Sequence, residues 1–358
     1  MDANALIPSP DVLPAPAWLL ILLEQLLFLL HIVVINAILG GFIILLFRKL
    51  KSSGNLLTEL HQPIAVRLPI LFALGINFAV PPLLFIQVVY GNLFYTSSVL
   101  MAVYWILIIP LLILGYYGAY IHKSKLLTSP VAAKIILSAA VLIVLYIGFM
   151  LVNNNSLMEQ PEKWNAYFNH RGGNILNIAD KTIWPRYIHF ITASIAVGGL
   201  FYAIVAKFLK SETKTKNQQI KKSLKIFAHA TSIQVLIGIW YLLTIPKSFM
   251  LNFMGGNIGA TIFLTLGFIS AIAAIMFGFK GNFNFSIATI LLTLVSMIIT
   301  RFYLRTFYLQ DNFQVSQLEL KPQYGVFLLF IFILLAGIAS IVYMLKISST
   351  SNKRSIES

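Results

Sequence analysis

The chain has 358 residues, 59% of them hydrophobic and only 10% charged, with a mean hydropathy of +0.86. Soluble domains carry roughly 25% charged residues, so composition excludes a water-soluble globular protein and points to a multi-pass membrane protein. There is no cysteine, which excludes disulfides, iron–sulfur clusters, thiolate zinc sites and covalent c-type haem attachment within this chain.

In chain order, the first sixteen residues hold no Lys or Arg, so no cleavable signal peptide is expected. A membrane span needs about 20 apolar residues. Nine segments are long enough, near 17–47, 66–91, 99–121, 131–152, 183–206, 224–246, 258–279, 285–308 and 323–345. Polar breaks such as "RKLKSSGN", "HKSKLLTSP" and "KSETKTKNQQIKKSLK" separate them. The prediction is an all-α bundle, a single integral membrane domain over 1–358. Its one sizeable outer loop is 153–182, with Trp164, Tyr167 and Phe168.

Charge sets the expected orientation, because Lys and Arg collect on the cytoplasmic side. With the N-terminus outside and the C-terminus inside, the inner side holds 18 of the 26 basic residues against three acids. The outer side holds eight of each. The formal charge of +15 thus reports topology, and nucleic acid is not an expected partner. The multi-pass pattern places the chain in a lipid bilayer, and a bacterial or archaeal cytoplasmic membrane is the expected one.

Ionisable side chains within a span are expensive and mark function by default. His31 falls midway along the first span, and His189 about two turns into the fifth. A buried imidazole must be hydrogen-bonded or ligated. Helix-to-helix bonding is one reading, and axial ligation of haem iron is the other. Arg186 is one turn outward from His189, and Arg301 and Arg305 share one face of the eighth span towards the same side. Three arginines near one level, with few acids among them, suit haem propionates. Across the nine spans the only carboxylate expected is Glu24. His61, His122 and His170 read as interfacial or solvated. His229, near the inner end of the sixth span, reads as a helix–helix or inner-face residue.

At these residues the chain resembles subunit I of the cytochrome bd-type quinol oxidases. "LLHIVVINAILGG" is similar to that family's first helix, with His31 followed nine residues later by Gly40. "GINFAV" (75–80), "MLVNNNSLMEQPEKWNAYFN" (150–169), "WPRYIHFITASIAVGG" (184–199) and "KKSLKIFAHATS" follow in the family's order. The resemblance covers about 230 residues of the first six spans and implies the same nine-span bundle with an outer N-terminus. It implies that His189 binds a low-spin haem b with Met254 as the other ligand, Met250 being a nearby competitor. It also implies that His31 binds a second haem.

The second half departs from the pattern. The family's glutamates in the third and eighth helices are missing, and so is its GRQPW segment. Its quinol-binding loop is cut to "PKSFMLNFMGGN". The resulting expectation is a haem b electron-transfer protein without oxygen reduction. It would link the quinone pool to an outer-side c-type cytochrome or another membrane subunit. A divergent oxidase, and a haem-free transporter or assembly scaffold, are the alternatives.

Overall fold

The computed structural model describes residues 6–50, 58–126, 128–209 and 212–357. Lys51 and Lys210, which enter the charge count, lie outside them, as do the side chains of Arg48, Lys49, Lys353, Arg354 and Glu357. The described chain is helical: α1 Ala17–Leu50, α2 His61–Val89, α3 Gly91–Leu100, α4 Ala102–Lys125, α5 Pro130–Glu159 and α6 Ile183–Phe208. These are followed by α7 Thr213–Thr244, α8 Lys247–Leu251, α9 Ile258–Lys280, α10 Phe283–Leu309 and α11 Tyr324–Glu357. Among the described residues nine helices are long and apolar enough to cross a membrane: all of these except α3 and α8. Among the described residues no strand forms, and one isolated bridge pairs Leu13 with Leu320.

Three boundaries differ from expectation. The third span is preceded by a separate short helix, α3, so the crossing helix starts at Ala102. The sixth starts at Thr213, because the lysine-rich stretch 213–223 continues the helix. Most consequentially, α5 does not stop at residue 152. It continues through "NNNSLME" to Glu159, so the expected loop 153–182 begins at 160. The polar run stays helical because it faces protein: Asn153, Asn154, Ser156 and Glu159 are all buried.

Successive crossings run in opposite directions, so each end of the bundle is defined by alternate helix termini. Glu24, Tyr90, Glu159, Arg186 and Arg305 lie at one end, here the Glu24 end. Lys123, Lys207, Lys225 and Lys280 lie towards the opposite, lysine-rich end. The centre is the α1–α6–α7 contact. Gly40 of α1 and Gly198 of α6 meet backbone to backbone: a Cβ on Gly198 would sit 2.5 Å from the Gly40 carbonyl carbon. On the next residue, a Cβ on Gly199 would sit 2.7 Å from the Phe227 nitrogen of α7. The adjacent pair "GG" thus lets one helix press against two neighbours, as small residues do in membranes. Ser194 adds a hydrogen bond to Asn36 Oδ1 of α1 (2.8 Å).

Segment 160–182 is pinned rather than free. Trp164 Nε1 donates to the Leu157 carbonyl (2.8 Å), and Asn177 donates to Ser156 Oγ (3.0 Å). Its backbone bonds to Leu100 and Val103. By contrast α11 stands apart. None of its most apolar window is fully buried, and the segment leading into it is held at Leu13, where Lys321 N donates to the Leu13 carbonyl (2.9 Å).

Candidate functional site

At the Glu24 end, helix termini bring together a buried polar cluster. Arg186 of α6 donates through Nη2 to Glu159 Oε2 of α5 (2.9 Å) and through Nε to the Tyr241 hydroxyl of α7 (2.7 Å). One turn back on α5, Asn155 donates to Glu159 Oε1 (2.8 Å) and accepts from Arg301 Nη2 of α10 (3.1 Å). Arg305, one turn on from Arg301, donates through Nη1 to Glu24 Oε1 of α1 (2.8 Å), and its Nε lies 3.9 Å from Glu159. The Arg305–Glu24 pair is almost wholly excluded from solvent, at 1% and 0% exposure. Tyr90, between α2 and α3, lies under Arg305, 5.0 Å from ring centre to guanidinium carbon. Burial pushes its phenol up to about 12, so it keeps its proton and can donate.

The expected arginines are therefore brought together, but not free of acids. Glu159 was assigned to a loop on sequence, and the expectation of a single intramembrane carboxylate is overturned: Glu24 and Glu159 both lie within crossing helices. Three guanidiniums face two carboxylates, which leaves one positive charge in excess. It falls on Arg301, whose neighbours are an amide oxygen and the Phe28 ring, 4.3 Å away. Buried donors also go unmet: Arg186 Nη1, Arg301 Nη1 and Arg305 Nη2 have no hydrogen-bond partner. Orphaned charged groups in a low-dielectric interior are costly, and Glu24 Oε2 is unmet as well; a further anion beside the arginines would meet the donors. The excess charge matches one more carboxylate.

The histidines sit below this cluster. Glu24, Phe28 and His31 follow at helical spacing on one face of α1, and the Phe28 and His31 ring centres are 6.5 Å apart. His31 lies about 10 Å along the helix from Glu24. Its Nδ1 is 3.0 Å from the Gly75 carbonyl of α2. A carbonyl can only accept, so Nδ1 carries the proton and the Nε2 lone pair points elsewhere. This is the orientation that backbone carbonyls impose on metal-ligating histidines. His189 lies one turn below Arg186. Its Nδ1 is buried with no partner, and it faces Gly238 of α7, where a Cβ would lie 3.4 Å from the imidazole Cε1.

Met254 stands differently. It is 56% exposed, at a break between α8 and α9 where Met254 (φ −106°, ψ 30°) and Gly255 (φ 115°) leave helical geometry. Met250, on α8, packs against the apolar cluster of Ile245, Phe253, Leu304 and Phe307, and so does Tyr241, the partner of Arg186.

No group of three or more His, Asp or Glu that could hold a bare metal ion occurs among the described residues. Isolated imidazoles can bind a metal whose other ligands come from a macrocycle, and that is the chemistry the site can offer. Beside the cluster a cavity of about 360 Å³ is lined by Tyr90, Phe302, Thr306, Gln310, Phe313 and Gln314 among others. It joins aromatic walls to hydrogen-bonding groups at the membrane-edge end of α10, and sequence reasoning did not anticipate it. The chain matches no protein-family model, and no curated protein is similar to it in sequence.

Proposed function

We propose that the protein is a membrane haem b electron-transfer protein, related to subunit I of the bd-type quinol oxidases but without oxygen reduction. It would sit in a bacterial or archaeal cytoplasmic membrane and carry electrons between the quinone pool and an outer-side partner. That partner would be a c-type cytochrome or another membrane subunit. The observation that carries the reading is the pairing of two intramembrane histidines with a buried arginine cluster that holds one uncompensated positive charge and unmet N–H donors.

In this reading haem b supplies the one-electron couple. His189 and a methionine, Met254 or Met250, would hold the low-spin haem, and His31 would hold a second. Arg301 would take a propionate, with Arg186 and Arg305 on either side already balanced by Glu159 and Glu24. The Gly75 carbonyl fixes the His31 tautomer, and Gly238 leaves room beside the His189 ring. The cavity at Tyr90, Thr306 and Gln310 would take the quinol ring. Tyr90 there acts as a donor, since it holds its proton throughout the physiological range.

A pyridine-haemochrome spectrum of the purified protein tests the reading, and haem b is the expected result. His189→Ala should remove one sharp reduced α-band and leave the protein inserted. Replacing Met254 and Met250 one at a time by His identifies the second ligand. The ligand's replacement keeps the haem and lowers its potential, because imidazole favours ferric iron more than a thioether does. A colourless protein would favour the transporter or scaffold alternative, with the arginine cluster holding an anionic solute.

A further inference from the structure

A second polar feature lies at the lysine-rich end, away from the haem site. Lys221, Lys225 and His229 follow at four-residue spacing on α7, so they form one stripe, and all three are exposed. The end of α9 lies against this stripe at two points. Phe279 packs edge-on to His229, with ring centres 4.9 Å apart. At Gly281, which has φ +73°, an added Cβ would sit 2.9 Å from Lys221 Cγ. Lys280 lies between these two contact points in the chain and is also exposed, which puts its backbone beside the α7 stripe.

The composition of the groove between α7 and α9 changes along its length. Past His229 the same α7 stripe continues with exposed Ile233 and Leu236, and α9 runs back from Phe279 through exposed Met276. One end is thus cationic and the other apolar. His229 adds a further requirement. It lies inside a crossing helix and faces outward, and among the described residues it makes a ring contact but no hydrogen bond. A polar ring exposed at membrane depth needs a partner that comes from the bilayer or its surface.

We infer that the α7–α9 groove at the lysine-rich end is a binding site for an anionic phospholipid. Lys221, Lys225 and Lys280 hold the phosphate-bearing head group, His229 donates to its phosphate or glycerol ester oxygens, and the acyl chains lie along Ile233, Leu236 and Met276. Basic pockets between crossing helices bind such head groups, and the Lys ammonium is a point charge suited to phosphate. Topological charge bias alone accounts for lysines at this end. It does not account for a histidine placed one turn further into the membrane on the same stripe, or for the apolar continuation.

Native mass spectrometry of the whole protein tests this, after exchange into equal amounts of phosphatidylglycerol and phosphatidylcholine. The wild type should keep phosphatidylglycerol preferentially. Each of Lys221→Gln, Lys225→Gln and Lys280→Gln should lower that preference about fivefold, as expected for one surface charge. His229→Leu should lower it by a similar factor of about five, as expected for one hydrogen bond. Lys123→Gln with Lys125→Gln, on α4 at the same end, should leave it unchanged. Equal retention of the two lipids would overturn the proposal, and so would a loss of preference with the α4 pair equal to that with the groove lysines. Displacement of the lipid by millimolar inorganic phosphate would overturn the lipid assignment in favour of a free-phosphate site. None of these outcomes depends on the protein holding haem.

Discussion

Glu24 and Arg305 form the most deeply buried ion pair in the described structure, and their energetics separate function from stability. Such a pair adds little net stability, because desolvation offsets the Coulomb attraction. Removing one partner leaves a lone charge and costs about 3–5 kcal/mol, whereas replacing both with apolar residues of similar volume is near neutral. Glu24→Leu and Arg305→Leu should each lower the thermal midpoint strongly, and the double variant should recover most of the loss. Heating followed by size-exclusion chromatography reads this out. A double variant as unstable as either single variant would mean that the pair holds the bundle together. Recovery of folding without recovery of haem binding would instead place the pair with the site. Arg301 differs from Arg305, because an amide and an aromatic ring cannot neutralise it.

At the scale of elements, the α1–α6 crossing is the most demanding. Gly198→Ala puts a methyl group 2.5 Å from the Gly40 carbonyl carbon, and backbone cannot move aside as a side chain can. The substitution should cost at least about 1–3 kcal/mol, the usual range for overpacking. It should also lower the yield of monodisperse protein, and a variant that purifies like the wild type would show that the two helices can separate freely. The helices themselves were legible in the sequence, since nine apolar runs of spanning length became nine crossing helices. So were the two histidines and the grouping of three arginines. Glu159 was not. Hydropathy ends the span where "NNNSLME" begins, because the scale treats asparagine as facing water or loop. In the fold these asparagines face protein: Asn154 donates to Ser98 Oγ (3.1 Å), Asn155 accepts from Arg301, and Asn153 accepts from the Asn177 backbone of segment 160–182. Two signals in the sequence pointed that way: the four-residue spacing of Asn155 and Glu159, and a proline at 161 just past the true helix end. The position of the Met254 side chain was not legible. A glycine-bearing break in the chain decides where its side chain goes, and apolar periodicity carries no trace of it.

For the whole molecule, two measurements bear on orientation and chemistry. A periplasmic-type reporter fused after Asp311 should be active and one fused after Lys216 silent, as the charge bias requires. The reverse pattern would invert the membrane model. Reduced protein mixed with oxygen should reoxidise slowly and without quinol-driven turnover. Rapid reduction of oxygen needs protons delivered through the membrane, and both intramembrane carboxylates lie at the Glu24 end. Among the α10 hydroxyls, Thr289 and Thr300 donate to carbonyls of their own helix, while Thr293 is also 2.9 Å from Ser270 Oγ of α9 and Ser296 Oγ is buried without a partner, so the relay groups here are hydroxyls and not carboxylates. Fast uptake abolished by His31→Ala would refute this. The isolation of α11 has a consequence for how the protein is made. Helices α1 to α10 pack mostly among themselves, while no residue in the most apolar window of α11 is fully buried and, among its described residues, only Phe327, near its start, packs against the core around Leu13. The core can therefore close while the ribosome still holds the last crossing. That last helix then enters the membrane as a tether tied at Leu13, with its apolar face left to lipid.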